Sequence, residues 1–407
     1  MISVDRHLAD CLAAVGPLPV ESLPLREARG RVLATDVVSA IALPGFDNSS
    51  MDGFAVRAGD VPGVPVVLPV SGESAAGGSE PAPLPAGAAV RIMTGAPVPD
   101  GADAVVPVEW TGGWEDGTTV RIDRAPDAGA YLRRAGEDVR VGETVLTAGS
   151  VLTSRHVALL AAVGCADVPV HRAPRVAVLS SGSELVPPGT PLHAGQIHDS
   201  NGYGLAAAAG ALGATATYLG IVPDDAGSVR AALTKAADGA DLVLTSGGVS
   251  AGVYDTVKEV LTALGTVRFA KVAMQPGMPQ GFGTIDDVPI FTLPGNPVSS
   301  LVSFEVFVRP VLRALAGVRD PASRPTLTAV ADVPWRSPEN RRQFARAVLL
   351  PASGGGRPRV RPVGAQGSHL VADLAAATCL AVVPEGVGAV EPGDELVCLP
   401  LLETSWI

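Results

Sequence analysis

Between Pro174 and about Gly317 short apolar β-type runs alternate with helical ones, and every β-type run empties into a loop of Gly, Ser, Pro or Asp. RVAVLSSGSEL is a strand entering a Ser/Gly loop that ends on Glu184. DSNGYGLAAAAGALG is a helix with Asp199, Ser200 and Asn201 available as caps. ATATYLGIVPDD is a second strand whose loop supplies Asp224 and Asp225, and SVRAALTKAADGA is the next helix. The apolar run Leu242–Leu244 then ends in Thr245, Ser246, Gly247 and Gly248, the pattern of a buried parallel strand opening into a loop whose amides face a ligand. Asp255 precedes the amphipathic positions Val257, Val260, Leu261 and Leu264, which puts a carboxylate at a helix N-terminus. FAKVAM runs into QPGMP and IFTL into PGNPVSS, and a long closing helix carries Pro310, which should kink or divide it. This alternation predicts a three-layer, doubly wound α/β domain with a mostly parallel sheet and its strand-end loops gathered on one edge.

Each piece also has a plain structural reading: a Gly-Gly loop is a turn, and an aspartate before a helix is a cap. Lys271 is harder to dismiss. Its neighbours Phe269, Val272 and Met274 form a mostly apolar strand, where an ammonium is costly without a partner or a solvent-filled cleft. Of 30 basic residues only Lys235, Lys258 and Lys271 are lysines.

With 407 residues, 47% hydrophobic, the chain can bury several cores, and its formal charge of −11 argues against nucleic acid as a partner. The N-terminus lacks a basic segment followed by a long apolar one, and no run approaches about 18 apolar residues, so a soluble cytoplasmic protein with no membrane partner is expected. Cys11, Cys165, Cys379 and Cys398 are far apart and the histidines show no paired spacing, which sets aside zinc and disulfide scaffolds.

Outside the α/β region, Val4, Leu8, Leu12 and Val15 mark an amphipathic helix, and a second helix is expected from Ser154 through Ala162. Residues 41–142 are rich in Gly and Pro with short β-type runs and read as a small β domain. In it Asp47, Asn48, Ser49, Ser50 and Asp52 crowd together, more polar groups than a turn requires. Thr94 and Gly95 follow a strand, and Glu137 and Asp138 follow two arginines, as a solvated charge cluster or as part of a site. Beyond about Ala322 the pattern becomes β-type again. Arg336, Arg341, Arg342 and Arg346 cluster there, as a solvated basic face or an anion site, in the same region as a turn at Gly367–His369.

Glu184, Asp224 and Asp255 on strand-end loops, with Ser/Gly loops between them, suit a phosphorylated ligand held through a divalent cation such as Mg²⁺. Lys271, Arg346 and Ser368 can offer positive charge and hydrogen bonds to an oxyanion. Residue chemistry alone goes no further than a phosphoanion-binding α/β enzyme.

SGGVSAGVYD, KVAMQPGMP and LPGNPVSS, in this order, together with SSMDGFAV, RIMTGAPVP and RRAGEDV, resemble the molybdopterin molybdenumtransferase family, which includes bacterial MoeA and the gephyrin E domain. The resemblance spans nearly the whole chain. It implies insertion of molybdenum from molybdate into adenylylated molybdopterin, with AMP released and Mg²⁺ assisting. It also implies a homodimer and the molybdopterin adenylyltransferase as a partner. The layout that follows is an elongated N-terminal dimerisation domain from 1–40 and 143–173, an inserted β domain at 41–142, an α/β pterin- and nucleotide-binding domain at 174–322 and a C-terminal β domain at 323–407. By motif match the functional residues fall on Asp52, Thr94, Asp138, Glu184, Asp224, Asp255 and Lys271, with Glu184, Asp224 and Asp255 as metal ligands. Substrate contacts fall on Ser246, Gly247, Gly248, Ser250, Pro294, Gly295, Asn296, Arg346 and Ser368. Two departures stand out: Gln275 where many relatives carry lysine, and Ser183 at an often acidic position. The loss of a cation at Gln275 leaves a second reading, a pterin-binding scaffold of the same family that has lost insertion.

Overall fold

The computed structural model describes residues 1–114, 117–247, 256–352 and 356–401. The chain forms two compact units, one from Met1–Thr35, Ala148–Thr153 and Asp167–Ile407, the other from Asp36–Thr147 and Ser154–Ala166. Among the described residues no helix is long and apolar enough to cross a membrane.

The first unit contains a six-stranded sheet built from β1 (Arg175–Ser181), β2 (Thr215–Val222), β3 (Leu242–Ser246), β4 (Val267–Lys271), β5 (Pro279–Ile285) and β6 (Val288–Leu293), in the order β2-β1-β3-β6-β5-β4. The pairings β2–β1, β1–β3 and β3–β6 are parallel, whereas β5 runs antiparallel to both β6 and β4. All strands except β5 therefore point their carboxyl ends at the same edge. Side-chain alternation along β1 shows why the sheet is covered twice. Val176 and Val178 join a core with the helix α1 (Asn201–Ala211), while Ala177 and Leu179 join another with α2 (Ala226–Ala237) and α3 (Thr256–Leu264).

The closing helix is divided, as Pro310 requires. Helix α4 (Pro297–Ser303) passes through a π-helical turn, Phe304–Val308, into α5 (Arg309–Leu315), so the widened turn lies where a proline ring crowds the preceding carbonyls.

The C-terminal strands β7 (Leu327–Ala331), β8 (Arg342–Leu350), β9 (Arg359–Pro362), β10 (Cys379–Val383) and β11 (Glu395–Pro400) close into a barrel, β8-β9-β7-β11-β10 and back to β8. Its interior is lined largely by alanine, cysteine and valine, including Ala329, Ala345, Ala347, Ala381, Cys379 and Cys398, because a small barrel has no room for larger side chains. The two-residue strand Met274–Gln275 pairs in parallel with Arg342 and Gln343 at the start of β8.

The N-terminal helix Val4–Ala13, capped by Ser3 Oγ accepting the Arg6 N–H, belongs to the same unit. Its His7 is 4% exposed, edge-on to Phe307 at 4.7 Å between ring centroids, and burial lowers its pKa to about 4 from the ordinary 6.5. In the unfolded chain this imidazole takes up a proton as the pH falls through 6.5, while the folded protein resists until about 4. Its contribution to stability is complete above pH 6.5, and about 3 kcal/mol is lost as the pH drops toward 4. The difference between wild-type and His7→Leu unfolding free energies, measured at pH 7.5 and again near pH 4, should change by that amount.

The second unit contains a five-stranded sheet in the order Ala104–Pro107, Gly53–Val56, Ala89–Ile92, Val66–Ser74 and Thr119–Ile122. Its α-helix among the described residues is Ser154–Ala162.

Candidate active site

Parallel strands bring several of the sequence-predicted residues to one ledge along the carboxyl edge of the six-stranded sheet. At the β1–β2 end, Asp224 accepts hydrogen bonds from Ser181 Oγ at 2.8 Å and from the Ser183 backbone N–H at 2.8 Å, so both carboxylate oxygens are engaged by the loop after β1. Glu184 follows in that loop, with its carboxylate folded over Gly182, where an added Cβ would lie 2.6–2.8 Å from the carboxylate oxygens. Asp225, the other aspartate of the loop after β2, caps α2 by accepting the Ser228 N–H at 2.8 Å.

In the middle of the ledge lie Ser246, Gly247, Pro294, Gly295 and Asn296. Gly247 has φ +89°, and a Cβ built there would collide with the Ser181 carbonyl oxygen. A Cβ on Gly295 would meet the Gly247 Cα at 3.6 Å. The loops after β1, β3 and β6 are therefore in backbone contact, and at Gly247 only glycine permits the approach. Asn296 Nδ2 donates to Ser368 Oγ at 2.9 Å, and the Val298 N–H donates to the Ser368 carbonyl at 3.1 Å, so the turn bearing Ser368 is tied to the start of α4.

At the far end, Lys271 closes β4 with its side chain exposed, which relieves the burial problem its apolar neighbours pose. Four strand spacings separate β1 from β4, roughly 19 Å. Lys271 therefore shares the ledge with Asp224 but does not meet it. Gln275 accepts from Gln343 Nε2 at 3.4 Å, and the Trp335 indole N–H donates to Gln343 Oε1 at 3.1 Å. An indole nitrogen only donates, so the order Trp335, Gln343, Gln275 fixes both amides and leaves the Gln275 NH₂ as the end without a partner among the described residues.

Arg346 differs from the sequence expectation of a cation facing the ligand. It is 1% exposed, and its guanidinium donates to the carbonyls of Leu370 at 2.8 Å and Ala365 at 2.5 Å. Burial lowers its pKa from the usual arginine value. It shapes the 365–370 turn from beneath, so any effect on a ligand passes through Ser368. The expected basic face is dispersed as well, since Arg342 is bidentate on Asp5 of the N-terminal helix and also bonds Glu385.

Asp52, Thr94 and Asp138 belong to the second unit, where the loops that carry them pack together. Asp52 accepts the Thr94 N–H at 2.7 Å, and this bond, reinforced by the Thr94 side chain, holds its pKa below the usual carboxylate value. Asn48 and Ser49 pair with Arg133 and Leu132, and Asp47 accepts from Arg134 and from the Ala135 N–H. Asp138 is exposed, and its backbone N–H reaches the Leu43 carbonyl at 2.9 Å. Gly248, Ser250 and Asp255 lie outside the described residues, and among the described ones no three His, Cys, Asp or Glu side chains come together as a metal site.

Sequence reading took Asp199, Ser200 and Asn201 only as caps. Ser200 makes no side-chain cap bond; Asp199 accepts the Gly202 N–H at 3.1 Å and the Tyr218 hydroxyl at 2.5 Å, and Asn201 reaches across the ledge. The density of polar residues in DSN was the available signal, but capping was a sufficient account of it.

The chain is 46% identical to molybdopterin molybdenumtransferase 2 of Mycobacterium tuberculosis, over 97% of this chain and 98% of that one. The chain belongs to the molybdopterin molybdenumtransferase family. Identity to the Haemophilus influenzae molybdopterin molybdenumtransferase is 39%, over 98% of each chain. Three family descriptions match in succession: the MoeA N-terminal region (domain I and II) at residues 2–164, a probable molybdopterin binding domain at 177–314, and the MoeA C-terminal region (domain IV) at 328–401. The crystal structure of the molybdopterin biosynthesis MoeA protein from Pyrococcus horikoshii superimposes with a TM-score of 0.82 at 33% identity, covering all of both chains. In this molybdopterin molybdenumtransferase family member the ledge lies almost wholly within the molybdopterin-binding match, with Ser368 and Arg346 supplied by the C-terminal one.

Proposed function

We propose that this protein inserts molybdenum from molybdate into adenylylated molybdopterin and releases AMP. The observation that carries the reading is the order of groups along one sheet edge: carboxylates after β1 and β2, glycine loops after β3 and β6, and the Lys271 ammonium after β4. A ligand with a phosphoryl group in its middle and an anionic metal-binding end suits that order. The glycine loops receive phosphate oxygens. Lys271, the Ser368 hydroxyl and the Gln275 NH₂ attract and orient the oxyanion.

Mg²⁺ fits the donor chemistry of Glu184 and Asp224, which are hard carboxylate oxygens held close to the same turn, and these two residues would hold it. Bound there, it would neutralise charge on the phosphoryl group that leaves with AMP. Asp224 itself fixes the loop after β1 through Ser181 and Ser183, which keeps Glu184 in place. The protein works as a homodimer and receives its substrate from the adenylyltransferase that precedes it, a pairing that light scattering and co-purification would read.

The decisive experiment measures AMP release from adenylylated molybdopterin with purified protein. Release that requires both Mg²⁺ and molybdate is expected, reduced at least a hundredfold in Asp224→Ala. Normal binding of the adenylylated pterin with no turnover would instead favour the scaffold reading that Gln275 raises. On the transferase reading, Gln275→Lys should lower the molybdate KM on the order of tenfold, because it adds a charge-assisted hydrogen bond at the oxyanion. An unchanged molybdate KM would remove Gln275 from the oxyanion site.

A further inference from the structure

Asn201 opens α1 and is 8% exposed, yet it makes no bond within its own helix that a cap would make. Its side-chain nitrogen donates to Ser246 Oγ at 2.6 Å and to the Gly295 carbonyl at 2.7 Å. A carbonyl only accepts, so the NH₂ end must face Gly295, and both amide hydrogens are committed. The amide oxygen is left buried with no hydrogen-bond partner among the described residues. A buried acceptor without a donor is destabilising, and an aliphatic residue of similar size would avoid it, so packing alone does not account for asparagine here.

The two acceptors lie at the end of β3 and in the loop after β6, whose backbones touch at Gly247 and Gly295. Asn201 thereby sets their separation and orients Ser246, whose hydroxyl, used as an acceptor by Asn201, keeps its own proton for another partner. We infer that Asn201 is a positioning residue that holds Gly247, after β3, and Gly295, after β6, at the spacing needed to receive the phosphoryl group of the nucleotide half of the substrate. The inference rests on the proposed function, since it takes the loops to be phosphate receivers. It assigns Asn201 no direct contact with the ligand.

The test is AMP binding to the full-length protein by calorimetry, for wild type, Asn201→Ala, Ser246→Ala and the double variant, with a thermal denaturation midpoint for each. Asn201→Ala is expected to weaken AMP ten- to a hundredfold and to leave the molybdate KM within twofold. Asn201→Asp should weaken AMP further, because a carboxylate faces the Gly295 carbonyl and adds negative charge near the phosphate. Ser246→Ala should weaken AMP less than Asn201→Ala, and the double variant should be no weaker than Asn201→Ala alone, since both act through one tie. Effects of the two single changes that multiply in the double variant would overturn the inference, as would AMP affinity within twofold of wild type in Asn201→Ala. Should Asn201→Ala fail to fold, Ser246→Ala alone decides: unchanged AMP affinity there overturns it. If wild type itself neither binds AMP nor releases it, the proposed function fails and the phosphate-loop role fails with it. Wild-type binding with indifferent variants removes only Asn201.

Discussion

Gly247→Ala is expected to reduce turnover at least a hundredfold while leaving the C-terminal barrel folded. At φ +89° a residue with a Cβ carries about 1–2 kcal/mol of backbone strain. The new methyl would also overlap the Ser181 carbonyl oxygen, and that neighbour is backbone, not the free end of a side chain. Something in the junction of the loops after β1, β3 and β6 must move, and a displacement of about 1 Å at a catalytic site costs on the order of a hundredfold in rate. Steady-state kinetics beside circular dichroism would check it. A folded, fully active Gly247→Ala enzyme would mean that the loop junction is not where chemistry is organised.

Arg346→Ala should cost about 3–5 kcal/mol of stability, read as a lower denaturation midpoint. The carbonyls of Ala365 and Leu370 lose the guanidinium that bonds them, and a cavity opens where a large, fully buried side chain was. Activity should fall too, because the turn that presents Ser368 to Asn296 loses its support. Arg346→Lys should not rescue, since a single ammonium lacks the planar fork that spans both carbonyls. The alternative, in which Arg346 touches the oxyanion directly, predicts the opposite pattern: molybdate affinity lost with the midpoint unchanged.

These two residues mark how far the sequence could be read. The strands and the common direction of their ends were legible because apolar runs such as Leu242–Leu244 are local, and each terminates in a loop that advertises itself through Gly, Ser or Pro. Gly247 was legible as part of such a loop, but its collision partner, Ser181, lies on another strand. The burial of Arg346 was not legible, because charge in a sequence suggests a surface. Its direction is set by strand register in the barrel, where Arg346 faces Leu380 across β10, and by carbonyls in a turn that no periodicity points to. Asn201 was hidden for a related reason: its acceptors lie 45 and 94 residues further along, and hydrogen bonds of that span leave no mark on local pattern.

The short pairing of Met274–Gln275 with Arg342–Gln343 also has a bearing on how the protein can be cut. Those residues follow Lys271, after Val272 and Ala273, at the margin of the α/β sheet, and their ladder partner is supplied by the C-terminal barrel. A truncated chain ending near residue 322 would strip main-chain partners from the segment next to Lys271 and take away the Gln343 amide that aligns Gln275. The last eighty or so residues are thus a splint for the cationic end of the ledge, and a shortened protein should retain its carboxylate end better than its oxyanion end.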